Sequence, residues 1–166
     1  MPRFIEIALE KRGVSCVARL LDEDAPRTCD IVWDLLPLKG EIYHAKYARN
    51  EVYTFIPPPG VHPGLENPTI TPIPGDVCYI PFAAGQLPAR SYGYSEEEGA
   101  AGLPDIVDLA LFYGRNNLLL NADIGFVPAN VFASVTENFE GIAAACNDVW
   151  RNGAAGETLA FRKVDR

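Results

Sequence analysis

His44 falls inside a strand-forming run, Glu41–Arg49, where Tyr43, Ala45 and Tyr47 alternate with His44, Lys46 and Ala48. The alternation turns its imidazole away from Tyr43 and Tyr47, and a histidine on a cavity-lining face supplies a donor or acceptor that titrates near neutral pH. Five residues further on, Arg49-Asn50-Glu51-Val52-Tyr53 places a guanidinium, an amide, a carboxylate and a phenol at a strand junction. Glu51 and Tyr53 share a face at period two. That combination suits a ligand carrying both a carboxylate and an amide, with Arg49 or Arg115 as the carboxylate anchor; an ordinary surface pair between Arg49 and Glu51 is the plainer alternative. A third group, Tyr113-Gly114-Arg115-Asn116-Asn117, follows a strongly apolar strand. Gly114 permits a sharp bend there, which would gather Tyr113, Arg115 and Asn116 at one end of a sheet. Glu66, in a proline-rich loop, is placed to act as acid or base if that loop folds over the site.

Other chemistries lack their residues. His44 and His62 are the only histidines, too few for a metal centre built on imidazole. No glycine-rich phosphate loop leads into a helix, and no spacing marks a nucleophile with its base. Cys16, Cys29, Cys78 and Cys146 include no Cys-x-x-Cys pair and read as reduced thiols in a core. Neither a cofactor nor a metal is expected.

These groups must be held by a mostly β framework. Phe4–Glu10 and Val14–Leu21 read as a hairpin about Lys11-Arg12-Gly13, with Ile5, Ile7 and Leu9 alternating. A helix then opens with Asp24 as N-cap and Pro26 near N1, presents Cys29, Val32, Trp33 and Leu36 on one face, and ends before Pro37. Further strands are expected at Glu51–Ile56, Val77–Ile80, Ile106–Tyr113, Val131–Val135 and Thr158–Val164. A second helix carries Phe139, Ile142, Cys146, Val149 and Trp150 on one face and stops at Gly153. Both tryptophans are expected in the core. Between Pro57 and Pro74 lie seven of the fourteen prolines, which cannot serve a sheet interior. The irregular stretch 83–104 carries four glycines and Glu96-Glu97-Glu98.

Three phrases within this order carry a family resemblance. Leu20-Leu21-Asp22-Glu23-Asp24-Ala25-Pro26-Arg27-Thr28 resembles the entry to the first helix of the cyclophilins, and Asn130-Val131-Phe132-Ala133-Ser134-Val135 the strand before their second. Pro74-Gly75-Asp76-Val77-Cys78-Tyr79 with Phe112-Tyr113-Gly114 resembles uncharacterised bacterial cyclophilin-like proteins. The resemblance implies one domain over residues 1–166: a closed β-barrel capped by two helices, with a cavity at the face where the isomerases hold peptide. It does not imply isomerase activity. The catalytic arginine of the isomerases falls on Ala45, and their Gln-Gly-Gly-Asp falls on Ile73-Pro74-Gly75-Asp76. The proline-rich insertion would lie close enough to that face to act as a lid. Pro74–Pro81 also resembles a cupin strand, but no histidine follows Pro81 to complete a cupin metal site.

Composition narrows the partners. The chain has 166 residues, 48% apolar, and a net charge of −8, with no basic stripe, which argues against nucleic acid. No apolar run approaches the ~20 residues of a membrane span, and no export signal is visible, so a cytoplasmic location is expected. Leu118-Leu119-Leu120 is an apolar segment that a monomer would not usually leave exposed. The expected function is binding, or converting, a small polar metabolite with carboxylate or amide groups through His44, Arg49, Glu51, Tyr53, Glu66, Tyr113, Arg115 and Asn116. The alternatives are a weak or lost prolyl isomerase and a non-enzymatic assembly protein. A homo-oligomer is expected, most simply a dimer.

Overall fold

The computed structural model describes residues 1–87 and 104–165. The acidic triplet Glu96-Glu97-Glu98 lies outside the described residues. In chain order the elements are β1 (Phe4–Leu9), β2 (Val14–Leu20), α1 (Pro26–Leu35), β3 (Leu38–Glu41), β4 (Tyr43–His44), β5 (Glu51–Ile56), β6 (Pro68–Thr69), β7 (Asp76–Phe82), β8 (Ile106–Phe112), β9 (Leu120–Asn121), β10 (Gly125–Phe126), β11 (Ala129–Glu137), α2 (Phe139–Asn152) and β12 (Thr158–Val164). The protein is mainly β with two helices. A ten-stranded antiparallel sheet runs β3-β12-β1-β2-β11-β7-β8-β5-β4, with β6 added on β11, while β9 and β10 form a separate ribbon.

The mainly β expectation holds, and the ends of the sheet are drawn together, because β3 at one end and β4 at the other are separated only by Ile42. Among the described residues no ladder joins β3 to β4 or β5. β4 covers β5 only at Val52 and Tyr53, and β3 packs beside the rest of that edge, against Thr54. The contact is tight: a Cβ built on Gly40 would collide with Thr54 Oγ1. Gly40→Ala is therefore expected to cost roughly 1–3 kcal/mol by overpacking. Thr54→Ala in the same chain should recover part of that loss, read as the unfolding midpoint in urea.

The sheet buries both of its faces. On one side Ile5, Ile7, Leu9, Val52, Val77, Leu109, Phe132 and Phe161 join α1 (Cys29, Val32) and α2 (Ile142, Cys146, Val149). On the other, Tyr53, Cys78, Ile80, Phe82, Ala110, Phe112 and Val131 are covered by Ala45, Ala48, Leu87, Leu119 and Val127. A strand buried on both faces loses its polar alternation, which is why β7 and β8 read as nearly continuous apolar runs. All four cysteines are buried free thiols.

Several local expectations change. The run 41–49 is not one strand, since it breaks after His44 into bends that return the chain to β5. At α1, the N-cap position is occupied by Ala25 without a side-chain cap bond, and no acidic residue stands in the first turn. The cap comes instead from Glu66, whose carboxylate accepts from Thr28 N at 2.7 Å, Thr28 Oγ1 at 2.8 Å and Arg27 N at 3.3 Å. Trp33 is half-buried beneath the cations of Arg3 and Lys163. Trp150 is 65% exposed, because it sits at the solvent-facing end of the apolar stripe of α2.

Candidate functional site

The eight sequence-derived candidates do not line one cavity. His44 and Tyr113 meet: His44 Nε2 and the Tyr113 hydroxyl are 2.6 Å apart, while His44 Nδ1 lies 3.0 Å from Ala45 O. The imidazole also packs on Trp150, with ring centroids 5.0 Å apart. Burial lowers the histidine pKa, partly offset by its bond to the Ala45 backbone, and burial raises the Tyr113 phenol to about 12. This pair therefore sits as a neutral hydrogen-bonded couple against the first core.

Around Gly114 the polar side chains are occupied by backbone. Asn117 Nδ2 donates to Pro72 O and Gly114 O at 2.8 Å each, and its Oδ1 accepts from Asn50 N at 3.1 Å. Asn50 Nδ2 donates to Arg115 O at 2.8 Å, and a Cβ on Gly114 would collide with the Asn50 side chain. Arg115 and Asn116 are exposed beside a groove with Thr71–Pro74, and Arg49 is exposed with φ 77°. Glu66 belongs to the cap of α1. Burial alone would raise its pKa, but the hydrogen bonds from Thr28 and Arg27, together with the Arg27 guanidinium, hold it below the ordinary value.

Glu51 and Tyr53 stand elsewhere, on the outer face of β5 with a partner that the sequence reading missed. Asp108 in β8 lies opposite Phe55 and Ile80 and shares this face with Glu51. Glu51 is 3% and Asp108 6% exposed, and their carboxyl groups are within hydrogen-bonding reach of each other. They line a recess of about 20 Å³ with Ala45, Lys46, Tyr47, Tyr53, Phe82 and Leu87. Tyr53 in turn stacks on Tyr43, with centroids 5.5 Å apart, and meets Phe55 edge-on. Burial pushes both carboxyls up. Glu51 rises to about 8, while Asp108 is raised further by the neighbouring Glu51 charge and hydrogen bond. At neutral pH the pair therefore keeps at least one proton. A sequence signal did exist, since Asp108 is the one charge inside the apolar run Ile106–Tyr113.

Phe82 also forms the back of a larger cleft of about 300 Å³, lined by His62, Leu65, Pro81, Gln86, Phe126 and Val127 among others. His62 Nδ1 is 2.8 Å from the hydroxyl of Tyr79, whose pKa is raised by burial. Leu65 and Phe126 are 66% and 60% exposed at its lips. The proline-rich segment forms part of its wall and is tied down. Asn130 Nδ2 donates to Gly64 O at 2.7 Å, and Asn67 Nδ2 donates to Val131 O at 3.0 Å. Among the described residues no three of His, Cys, Asp and Glu gather as metal ligands. No helix there is long and apolar enough to cross a membrane.

An antiparallel sheet buried on both faces, with two helices and a ligand-sized cleft on its outer side, is the architecture these elements define. The chain belongs to a family described as a protein of unknown function, DUF3830, whose model matches residues 7–161. Among solved structures it is similar to the structure of McbB in complex with tryptophan, with a TM-score of 0.61 and 18% identity. That match covers 98% of this chain and 45% of the other, so the chain spans less than half the length of that protein. No curated protein matches the chain.

Proposed function

We propose that this is a cyclophilin-like protein that binds a small molecule in the cleft backed by Phe82, with the ligand's carboxylate or amide toward His62 and Gln86. The observation that carries the reading is the cleft itself. Its volume of about 300 Å³ lies at the lower end of the ~300–1,000 Å³ typical of small-ligand sites, which pair apolar walls with a few fixed polar groups. His62 is oriented by Tyr79, and Phe82, Phe126, Leu65 and Pro81 offer an apolar body contact. A ring with a carboxylate fits those walls, and tryptophan, which occupies the McbB structure, is a molecule of that kind. Glu51 and Tyr53 lie behind Phe82 in the adjoining recess.

The test is thermal unfolding with tryptophan, indole-3-acetate and benzamide as probes. At least one should raise the midpoint of the native chain, because selective binding to the folded state must do so. Phe126→Ala, at an exposed lip, should weaken that ligand about tenfold without changing the midpoint of the free protein, and His62→Ala should weaken the carboxylates most. No shift with any probe, or a shift unchanged in both variants, would overturn the assignment.

Prolyl isomerisation is a poorer fit, since buried Ala45 occupies the position of the isomerases' arginine. Self-association has one observation in its favour. Leu119 is buried, but Leu118 and Leu120 remain 43% and 44% exposed beside Phe126.

A further inference from the structure

The recess holding Glu51 and Asp108 is a separate matter from the cleft, and either can fail without the other. Two carboxyl groups are withdrawn from water there, yet Asp108 Oδ1 has no hydrogen-bond partner among the described residues. Buried polar atoms are nearly always satisfied, so an orphaned oxygen on a residue that lines a void points to something that fills it. The void, of about 20 Å³, holds one small polar group and little more.

The chemistry of the walls selects the occupant. Once the proton they hold is displaced the two carboxylates only accept, so the occupant that displaces it must donate, and the two acids then favour a donor with positive charge. The other walls include the rings of Tyr47 and Tyr53, and aromatic faces attract cations. A divalent metal would want more oxygen ligands than two carboxyls provide, and among the described residues no third acidic or imidazole group joins them. We propose that this recess is a subsite for a small primary ammonium group, hydrogen-bonded by Glu51 and Asp108 against the rings of Tyr47 and Tyr53.

The groups facing the pair set its pH behaviour. The 45–50 segment brings Lys46 and Tyr47, β5 brings Tyr53, and β7 brings the buried Cys78 thiol, with Asp76 further along the same strand. Lys46 lines the exposed rim of the recess. Its ammonium is thus the internal competitor for the site. Entry of an ammonium ion releases the proton held between the carboxyls to solvent, so apparent affinity should climb with pH until that proton is gone.

The probe is methylammonium chloride added to the whole chain, with sodium chloride and tetramethylammonium chloride as controls at equal ionic strength. Tetramethylammonium carries the charge without any N–H donor. Methylammonium is expected to raise the unfolding midpoint at pH 8 by a few degrees more than either control, and by less at pH 6. Calorimetry in buffers of different ionisation enthalpy should show a proton released on binding. Asp108→Asn and Glu51→Gln should each remove the methylammonium-specific shift; having two isosteric variants guards against one failing to fold. Lys46→Met should keep or enlarge the shift. Equal shifts with all three salts, or an undiminished response in both carboxyl variants, would overturn the proposal. So would a response that appears only in Lys46→Met, which would identify Lys46 as the native occupant.

Discussion

Asp108→Asn is expected to stabilise the protein above neutral pH, an unusual direction for a substitution at a site 6% exposed. The folded-state pKa values of Glu51 and Asp108 are both raised, Glu51 from 4.5 to about 8. A carboxyl whose pKa is raised by folding leaves the folded state binding more protons than the unfolded one. Stability is then greatest below the unfolded pKa and falls as pH climbs through the window from about 4.5 to about 8. A tenfold change in proton affinity on folding corresponds to about 1.4 kcal/mol, so the pair should withhold several kcal/mol at pH 8. An asparagine removes one ionisation and still offers Glu51 an N–H donor. The expected gain at pH 8 is about 1–3 kcal/mol, in the range seen when buried charge is replaced by a neutral group of similar volume. That is about 2–12 °C in the unfolding midpoint for a chain of this size. At pH 4.5 the two proteins should nearly coincide. Midpoints measured across this range decide it: parallel curves would mean that the pair is not buried as a shared-proton unit.

That carboxyl pair also shows where sequence reading ends. Strand positions and faces were largely legible. Thr158–Val164 appears with the expected bounds, and Glu51 and Tyr53 share a face as the period of two requires. His44 and Tyr43 turn to opposite sides, one toward Tyr113 and the other toward Tyr53. Periodicity is local and survives folding. What it cannot give is which residues from distant strands end up side by side, and Glu51 meets Asp108 only through the β5–β8 register. The same limit explains Glu66. Asp24-Ala25-Pro26 carries a good local cap signal, but the chain takes its cap from a loop that returns 38 residues after Thr28.

Removing the Glu66 carboxylate should be among the most damaging single changes away from the core. Its side chain is 7% exposed and receives the Thr28 N–H, the Thr28 hydroxyl and the Arg27 N–H, with Arg27 Nε at 2.9 Å. Without it, α1 has no side-chain cap and no acidic residue in its first turn. Loss of a cap costs about 0.5–2 kcal/mol, and leaving buried donors unmet adds about 1–3 kcal/mol for each group. Glu66→Ala should therefore cost about 2–4 kcal/mol, or roughly 4–16 °C in the unfolding midpoint. Arg27→Ala should cost under ~1 kcal/mol, because that guanidinium is 66% exposed and its pair with Glu66 is screened by water. The pH dependence runs opposite to that of the carboxyl pair. Glu66 has a lowered folded pKa, so its contribution is present above the unfolded value near 4.5 and disappears as pH falls through the depressed one. Glu66→Gln should flatten that acid limb. Because Gly64 and Leu65 adjoin Glu66 in the cleft wall, hydrogen exchange should quicken both there and in the first turn of α1. Protection lost in α1 alone would mean that the proline-rich wall is held by Asn67 and Asn130 without help from the cap.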